Sequence, residues 1–192
     1  MSFTIDWTSG HVPVWREHLG RYAGMPALAL EVGCFEGRST CWFLENILTH
    51  PASQIVCVDT FAGSAELRDM PQLEGLQARF DDNVRAFGSK VVKFVGASTA
   101  VLPLLAPGAF DFAYIDGSHA AADVFSDLVL AWRLVKTGGI LVLDDYEWGA
   151  GNPERDRPKI AIDAFLASFE RRYQILTKAY QVLLTKTARD GD

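Results

Sequence analysis

Two short segments of this chain carry side chains whose types and spacing could support acid–base or metal chemistry. Asp116 follows an apolar run and His119 comes three residues later, while Asp144 and Asp145 follow a second apolar run. The carboxyl ends of neighbouring parallel strands meet at one edge of a sheet, where ligands bind. Carboxylates that converge there without a cation repel one another, so a divalent ion held by oxygens is expected. We therefore predict a metal site, with magnesium as the ion, at Asp116, Asp144 and Asp145.

Each of these residues also has an ordinary structural interpretation. An aspartate at a strand end, such as Asp116, commonly caps a turn or a helix, and a single histidine such as His119 is more often a surface or capping residue. Asp144 and Asp145 are adjacent, so a regular strand would point them to opposite faces. The combination favours the metal site, beside which His119 is predicted to be the general base that takes a proton near neutral pH.

A glycine turn marks a second candidate site. The apolar run that ends near Glu31 leads into Gly33, three further residues and Gly37, and a helix is predicted to begin at Ser39. Gly33 allows a sharp turn and the close approach of a ligand, and the free N–H groups at a helix start favour a negative group. The same turn also suits an ordinary strand-to-helix connection, so it is weak evidence when taken alone.

An acidic residue after the next predicted strand strengthens the ligand hypothesis. Asp59 ends the run Gln54–Val58, at the interval where doubly wound folds place an acid that binds ribose hydroxyls. The turn lacks the third closely spaced glycine that presses the backbone against the two phosphates of a dinucleotide. S-adenosylmethionine contains an adenosine but no phosphate, and it therefore fits this pattern better than NAD.

The composition limits the class of protein. A chain of 192 residues with 49% hydrophobic content is long enough for one domain with a sizeable core. A net charge of −6 disfavours nucleic acid as a partner. Cys34, Cys41 and Cys57 lack metal-site spacing and are predicted to be reduced core residues. No signal-peptide pattern or membrane-length apolar stretch is evident, so a cytoplasmic protein without a membrane partner is expected.

Apolar strand-like runs alternate with helical patterns along most of the chain, which is typical of a parallel sheet covered on both faces. Two later β-prone runs, Tyr173–Lys178 and Tyr180–Lys186, have almost no connection and must pair antiparallel. The other strands are predicted at Ala27–Val32, Gln54–Asp59, Val91–Val95, Phe110–Asp116 and Ile140–Asp144, and the helices at Ser39–Leu48, Gln72–Phe87, Thr99–Leu105, Ala121–Leu134 and Pro158–Phe169.

Four segments, in this order, resemble the class I S-adenosylmethionine-dependent O-methyltransferases, in particular the metal-dependent branch that includes catechol and antibiotic-sugar O-methyltransferases. They are Glu31–Ser39, Gly96–Ser98 followed by Pro103, Phe112–His119 and Leu141–Tyr146. The resemblance covers about residues 27–147. It implies an α/β, single-domain Rossmann-like fold with a seven-stranded sheet and an antiparallel C-terminal strand pair.

The resemblance also implies roles for individual residues. Ser39 would contact the methionine carboxylate of the cofactor, Ser98 would lie at the purine edge, and His119 occupies the position of the base, three residues after the first metal-binding aspartate. The implied reaction is methyl transfer from S-adenosylmethionine to a hydroxyl of a small metabolite. The cofactor-binding residues expected are Glu31, Gly33, Cys34, Phe35, Gly37, Ser39, Asp59, Thr60, Phe61, Ala97, Ser98 and Asp116.

The expected organisation is one methyltransferase domain in three segments. Residues 1–26 form a helical cover, residues 27–147 the cofactor and metal core, and residues 148–192 an acceptor-side loop, helix and hairpin. No long lid insertion is evident, so the sequence does not identify the acceptor. It does not determine the oligomeric state either, and a homodimer is one option. Two alternatives remain: a metal-independent methyltransferase of the same fold, and a non-catalytic cofactor-binding module, against which His119 argues.

Overall fold

The chain forms two compact units, Met1–Gly96 and Ala97–Asp192. A computed structural model describes residues 1–64, 67 and 69–188. Among these residues, no helix combines the length and the apolar character needed to cross a membrane. The expectation of one domain with segments at residues 1–26, 27–147 and 148–192 stays a prediction.

The first unit is built on three parallel strands. Strand β2 lies between β3 and β1, with Val56 paired to Leu30 on one side and to Val92 on the other. Most residues of β1 and β2 are buried, as in a sheet whose faces are covered by helices. The elements in chain order are α1 (Val12–Leu19), β1 (Leu28–Val32), α2 (Arg38–Asn46), β2 (Gln54–Asp59), α3 (Leu76–Val84) and β3 (Val91–Val95).

Helix α1 packs against α2 through aromatic side chains. Trp15, which is fully buried, lies with its ring centroid 4.7 Å from that of Phe43 and 5.3 Å from that of Trp42. Burying large aromatic surfaces in this way contributes strongly to a core. Helix α1, which lies within residues 1–26, is therefore anchored on α2 by its buried tryptophan.

The second unit contains the four remaining strands in the order β4-β5-β7-β6. Strand β5 runs parallel to β4, with Ala113 paired to Leu141, and antiparallel to β7, with Leu143 paired to Val182. The elements are α4 (Ser98–Val101), β4 (Phe110–Ile115), α5 (Ala121–Leu134), β5 (Val135–Leu143), α6 (Pro158–Ser168), β6 (Tyr173–Lys178) and β7 (Val182–Lys186).

The predicted fold class is confirmed: the fold is α/β, it has seven strands, and the C-terminal pair β6 and β7 is antiparallel. Two elements, α3 and β5, depart most from their predicted bounds. The helix predicted at Gln72–Phe87 contains α3 only at Leu76–Val84, because Gly75 has φ +66° at its start and Gly88 has φ +54° beyond its end. These left-handed conformations interrupt a regular helix.

Strand β5 begins at Val135, five residues before the predicted start at Ile140. The Gly138-Gly139 pair, which suggests a turn in the sequence, instead lies inside the strand at an irregular register with β4. A Cβ atom at Gly139 would lie 2.8 Å from the carbonyl oxygen of Asp111, so the backbones approach closely there. Glycine within a strand often marks such a bulge or close approach.

Candidate functional site

The glycine turn of the first unit joins β1 to α2 and has an unusual backbone. Gly33 and Gly37 have φ values of +84° and +78°. A Cβ atom at Gly37 would lie 2.9 Å from Cδ2 of the Phe80 ring, so glycine is required there for space as well as conformation. Phe35 has φ +46°, a left-handed conformation that costs about 1–3 kcal/mol in a residue other than glycine. Strained backbone conformations of this kind are often found at functional sites.

Glu31, at the end of β1, is fully buried and faces α2. Its carboxylate accepts hydrogen bonds from the hydroxyls of Ser39 and Thr40, the latter at 2.5 Å. Burial raises the pKa of Glu31 to about 7, against the opposing effect of these two bonds. The predicted contact of Ser39 with a cofactor carboxylate stays a prediction, since in this structure its hydroxyl donates to Glu31.

Asp59, at the end of β2, holds the glycine turn in place. Its Oδ2 accepts hydrogen bonds from the backbone N–H groups of Cys34 (2.6 Å) and Phe35 (2.9 Å), and its Oδ1 from that of Phe61 (2.7 Å). A carboxylate offers about four acceptor positions, so few remain for the ribose predicted to bind it. Asp59 therefore has a structural role beside its proposed role in binding.

The structure brings nine of the predicted cofactor residues together around this turn and the end of β2, including Thr60, whose hydroxyl accepts from the N–H of Ala62 at 3.2 Å. The nine residues are Glu31, Gly33, Cys34, Phe35, Gly37, Ser39, Asp59, Thr60 and Phe61.

The three cysteines are buried and free of disulfides, as predicted, and burial raises the pKa of Cys34 well above its usual value.

Glu31 is expected to make stability depend on pH. Its folded-state pKa of about 7 lies above the usual 4.5, so its stabilising contribution is complete below pH 4.5 and lost as the pH rises through 7. The loss is about 3 kcal/mol, at about 1.4 kcal/mol per pH unit. Urea denaturation of Glu31→Gln should show a flatter dependence on pH between 4.5 and 8. An identical dependence in both proteins would contradict the assignment.

Of the predicted cofactor residues in the second unit, Ala97 and Ser98 lie at the start of α4. Asp127 of α5 is buried, and burial raises its pKa to about 6 against a lowering effect of the Ser98 side chain. The third, Asp116, directly follows β4. The contact of Ser98 with a purine stays a prediction.

The second unit brings together Asp116, His119 and Asp145, whose nearest donor atoms all lie within 4.8 Å of one another. The Nε2 atom of His119 is 2.7 Å from Oδ2 of Asp145. The imidazole also stacks on Trp148, with ring centroids 4.0 Å apart and an interplanar angle of 17°. Two carboxylates and an imidazole in this arrangement can bind a divalent ion or move a proton.

Asp144 and Asp145 follow β5 and their side chains have different surroundings. Asp145 has φ +60°, so the regular alternation of a strand is broken at this residue. Asp144 is buried and accepts bonds from the Tyr114 hydroxyl, from Nε2 of Gln181 (2.7 Å) and from the N–H of Asp145 (2.7 Å). Of the three predicted metal ligands, the structure groups Asp116 and Asp145 with His119, whereas Asp144 holds a buried polar network.

Burial and neighbouring side chains shift the pKa values of Asp145 and Tyr114 at this site. Burial tends to raise the pKa of Asp145, but bonds from His119 and Tyr180 outweigh it, and the net pKa is lowered. Burial and the nearby carboxylates of Asp116 and Asp144 raise the pKa of Tyr114 well above its usual value. The phenol therefore remains a hydrogen-bond donor, and its oxygen lies 2.8 Å from Oδ2 of Asp116.

Sequence reasoning missed Tyr114, Tyr180 and Gln181. Tyr114 carries a usable signal, because residues two apart on a strand share a face and Tyr114 precedes Asp116 by two. Gln181 and Tyr180 precede Val182, which pairs with Leu143, so they lie opposite Asp144 and Asp145. That register depends on long-range pairing of β7 with β5, which the local sequence does not specify.

The sequence of this chain is similar to that of a known protein family. The family described as "Methyltransferase domain" matches residues 30–146, which is more than half of the chain. An uncharacterised protein of Acanthamoeba polyphaga mimivirus, R132, is 28% identical over 122 residues, or 62% of this chain and 51% of R132. This chain thus spans about half the length of that curated relative.

Several solved structures share the fold at low sequence identity. Cofactor-bound Rv0187 from MTB has a TM-score of 0.71 at 19% identity, and the aligned region covers 98% of this chain and 84% of the Rv0187 chain. An O-methyltransferase from Bacillus cereus in complex with SAH has a TM-score of 0.70 at 15% identity, and the aligned region covers 97% of this chain and 84% of the Bacillus cereus chain. The methyltransferase MycE with Mg, SAH and mycinamycin VI has a TM-score of 0.66 at 15% identity, and the aligned region covers 97% of this chain and 52% of the MycE chain.

Proposed function

Because this chain belongs to the family described as "Methyltransferase domain", we propose that it transfers a methyl group from S-adenosylmethionine to a hydroxyl of a small metabolite with the help of a divalent cation. The observation that carries the proposal is the cluster of Asp116, His119 and Asp145 within 4.8 Å. Structures of the same fold include an O-methyltransferase with SAH and a methyltransferase with Mg and SAH. The net charge of −6 supports a small acceptor rather than a nucleic acid.

The glycine turn fits a cofactor with a polar, non-phosphate body. Gly33 and Gly37 leave backbone without side chains at the end of β1, and Asp59 fixes the N–H groups of the turn. Bound S-adenosylmethionine supplies a methyl group already activated for in-line displacement by its sulfonium. The protein has only to align that group with the acceptor and remove the hydroxyl proton, so positioning by a rigid turn is a suitable contribution.

The donor set fits a divalent cation. Asp116 and Asp145 supply carboxylate oxygens, the ligands preferred by magnesium, and His119 lies beside them. A cation held there would lower the pKa of an acceptor hydroxyl. Asp144 stays a candidate third ligand, although Tyr114 and Gln181 already bond to its carboxylate.

His119 is the proposed general base. The carboxylate of Asp145, 2.7 Å from Nε2, orients the imidazole and stabilises its protonated form, and the proton from the acceptor would be taken at Nδ1. Trp148 covers one face of the imidazole and limits its rotation. A carboxylate-bound, stacked histidine is thus held in one orientation before an acceptor arrives.

One observation favours a metal-independent methyltransferase as the second candidate. Two of the carboxylates already receive bonds from protein groups, namely Tyr114 and Gln181 to Asp144, and Tyr180 and His119 to Asp145. These bonds stabilise the negative charges without an ion. In this alternative, His119 removes the proton and the carboxylates orient the acceptor.

Calorimetry with S-adenosylhomocysteine tests the cofactor assignment. The parent protein should bind it and should not bind NAD more tightly. Asp59→Ala should weaken binding by a few kcal/mol, since a charge-assisted bond is lost and three N–H groups of the turn region lose their acceptor. Unchanged affinity in this variant, provided that it is folded by circular dichroism, or preference of the parent for NAD, would contradict the assignment.

A further inference from the structure

The first residues of the chain lie on the glycine turn of the first unit. Thr4, Trp7 and Ser2 each reach that turn or its supports, and the central residue of the arrangement is Glu36, which stands between Phe35 and Gly37. We name Ser2, Thr4 and Trp7 the N-terminal clasp. The clasp has no place in the methyl transfer described above.

Glu36 is a buried carboxylate, with 1% of its surface exposed. Its Oε2 accepts from the N–H of Thr4 at 2.7 Å, and its Oε1 accepts from the Thr4 hydroxyl at 2.7 Å and from Nε of Arg79 at 2.9 Å. A buried charge is tolerated only when it is paired and hydrogen-bonded. Two of its three donors belong to Thr4, so the clasp supplies most of the bonds that keep Glu36 inside the turn.

Two further contacts connect the clasp with the turn. The Trp7 ring centroid lies 5.0 Å from that of Phe35, the residue whose φ is +46°. Asn83 of α3 accepts from the N–H of Ser2 at 2.7 Å and donates to the carbonyl oxygens of Ser2 (3.0 Å) and Glu36 (2.9 Å). The N-terminal clasp thus holds both Phe35, whose backbone is strained, and Glu36, which is buried.

We propose that the N-terminal clasp, acting through Glu36, is a positioning device that holds the glycine turn in its cofactor-binding conformation. The turn contains left-handed residues at Gly33, Phe35 and Gly37, a combination that persists only when surrounding contacts over-determine it. Glu36 does not touch a reacting atom and is a positioning residue. The inference rests on the proposed function, since it assigns the turn to cofactor binding.

The test compares Glu36→Gln and Trp7→Ala with Ile55→Val, a conservative change of a fully buried residue in β2. Glu36→Gln keeps the shape but places an amide N–H₂ against a donor. It should weaken S-adenosylhomocysteine binding about tenfold and Trp7→Ala about threefold, both measured by calorimetry. Ile55→Val should lower the thermal midpoint and leave affinity within twofold.

Hydrogen–deuterium exchange without ligand provides the independent readout. Amides of residues 33–41 should exchange at least about fivefold faster in Glu36→Gln than in Ile55→Val, because the turn opens locally. Unchanged exchange in that stretch, or an affinity loss no larger than in Ile55→Val, would overturn the proposal. If the parent binds no S-adenosylhomocysteine, the proposed function fails, whereas the exchange result still decides whether the clasp orders the turn.

Discussion

Replacing His119 by alanine is expected to lower the single-turnover rate of methyl transfer by about 10²–10⁴-fold, the usual contribution of a general base. S-adenosylhomocysteine affinity should stay within about twofold, since the imidazole is assigned to the acceptor proton and not to the cofactor. Rapid-quench measurement with an acceptor found by screening phenolic and sugar hydroxyl compounds gives the rate. His18→Ala, a change in α1, serves as the matched control and should leave the rate unchanged.

The competing explanation is that His119 only supports the start of α5. In that case the His119→Ala protein would be less stable but would transfer methyl groups at the parental rate per folded molecule. The thermal midpoint and the single-turnover rate should therefore be measured on the same preparation. Loss of stability with a parental rate would remove His119 from the catalytic residues and leave activation of the acceptor to a cation.

Replacing Asp145 by asparagine is expected to weaken Mn²⁺ binding at least about 100-fold, because even partners of metal ligands contribute about 10–100-fold and Asp145 is proposed as a ligand itself. Asp144→Asn is the matched variant. Its amide would face the Tyr114 hydroxyl, the Gln181 amide or the N–H of Asp145, so we expect a stability loss of about 1–3 kcal/mol and a smaller change in Mn²⁺ affinity.

Electron paramagnetic resonance of free Mn²⁺ measures the affinity, and urea denaturation measures the stability. If Asp144→Asn abolishes binding and Asp145→Asn does not, the ion is coordinated mainly through Asp144. Absence of saturable Mn²⁺ binding in the parent at neutral pH, with S-adenosylhomocysteine present, would favour the metal-independent methyltransferase. Anomalous scattering from crystals soaked in manganese would identify the coordinating oxygens directly.

The sequence alone determined the main elements of the sheet and where the reactive side chains occur along them. Strands β2 and β3 and helix α5 have the predicted bounds, because their apolar periodicity and flanking residues are local properties. Asp59, Asp116 and Asp144 were predicted at strand ends, and each lies at or directly after the end of its strand. Alternation of strands and helices was sufficient for the fold class.

Only the tertiary structure separated the roles of residues that look alike in sequence. Asp144 and Asp145 are adjacent acids, yet Asp144 is buried with Tyr114 and Gln181 while Asp145 lies beside His119. The register of β5 with β7 and the left-handed φ of Asp145 decide this, and neither follows from local sequence preference.

The glycine turn shows the same division. Its glycines could be recognised from spacing, but the bonds from the N–H groups of Cys34 and Phe35 to Asp59 and from Thr4 to Glu36 could not. Each of these bonds joins residues that are 24 to 32 positions apart in the chain. Periodicity reports which face of an element is buried, whereas the partner of a buried polar group depends on how distant segments pack.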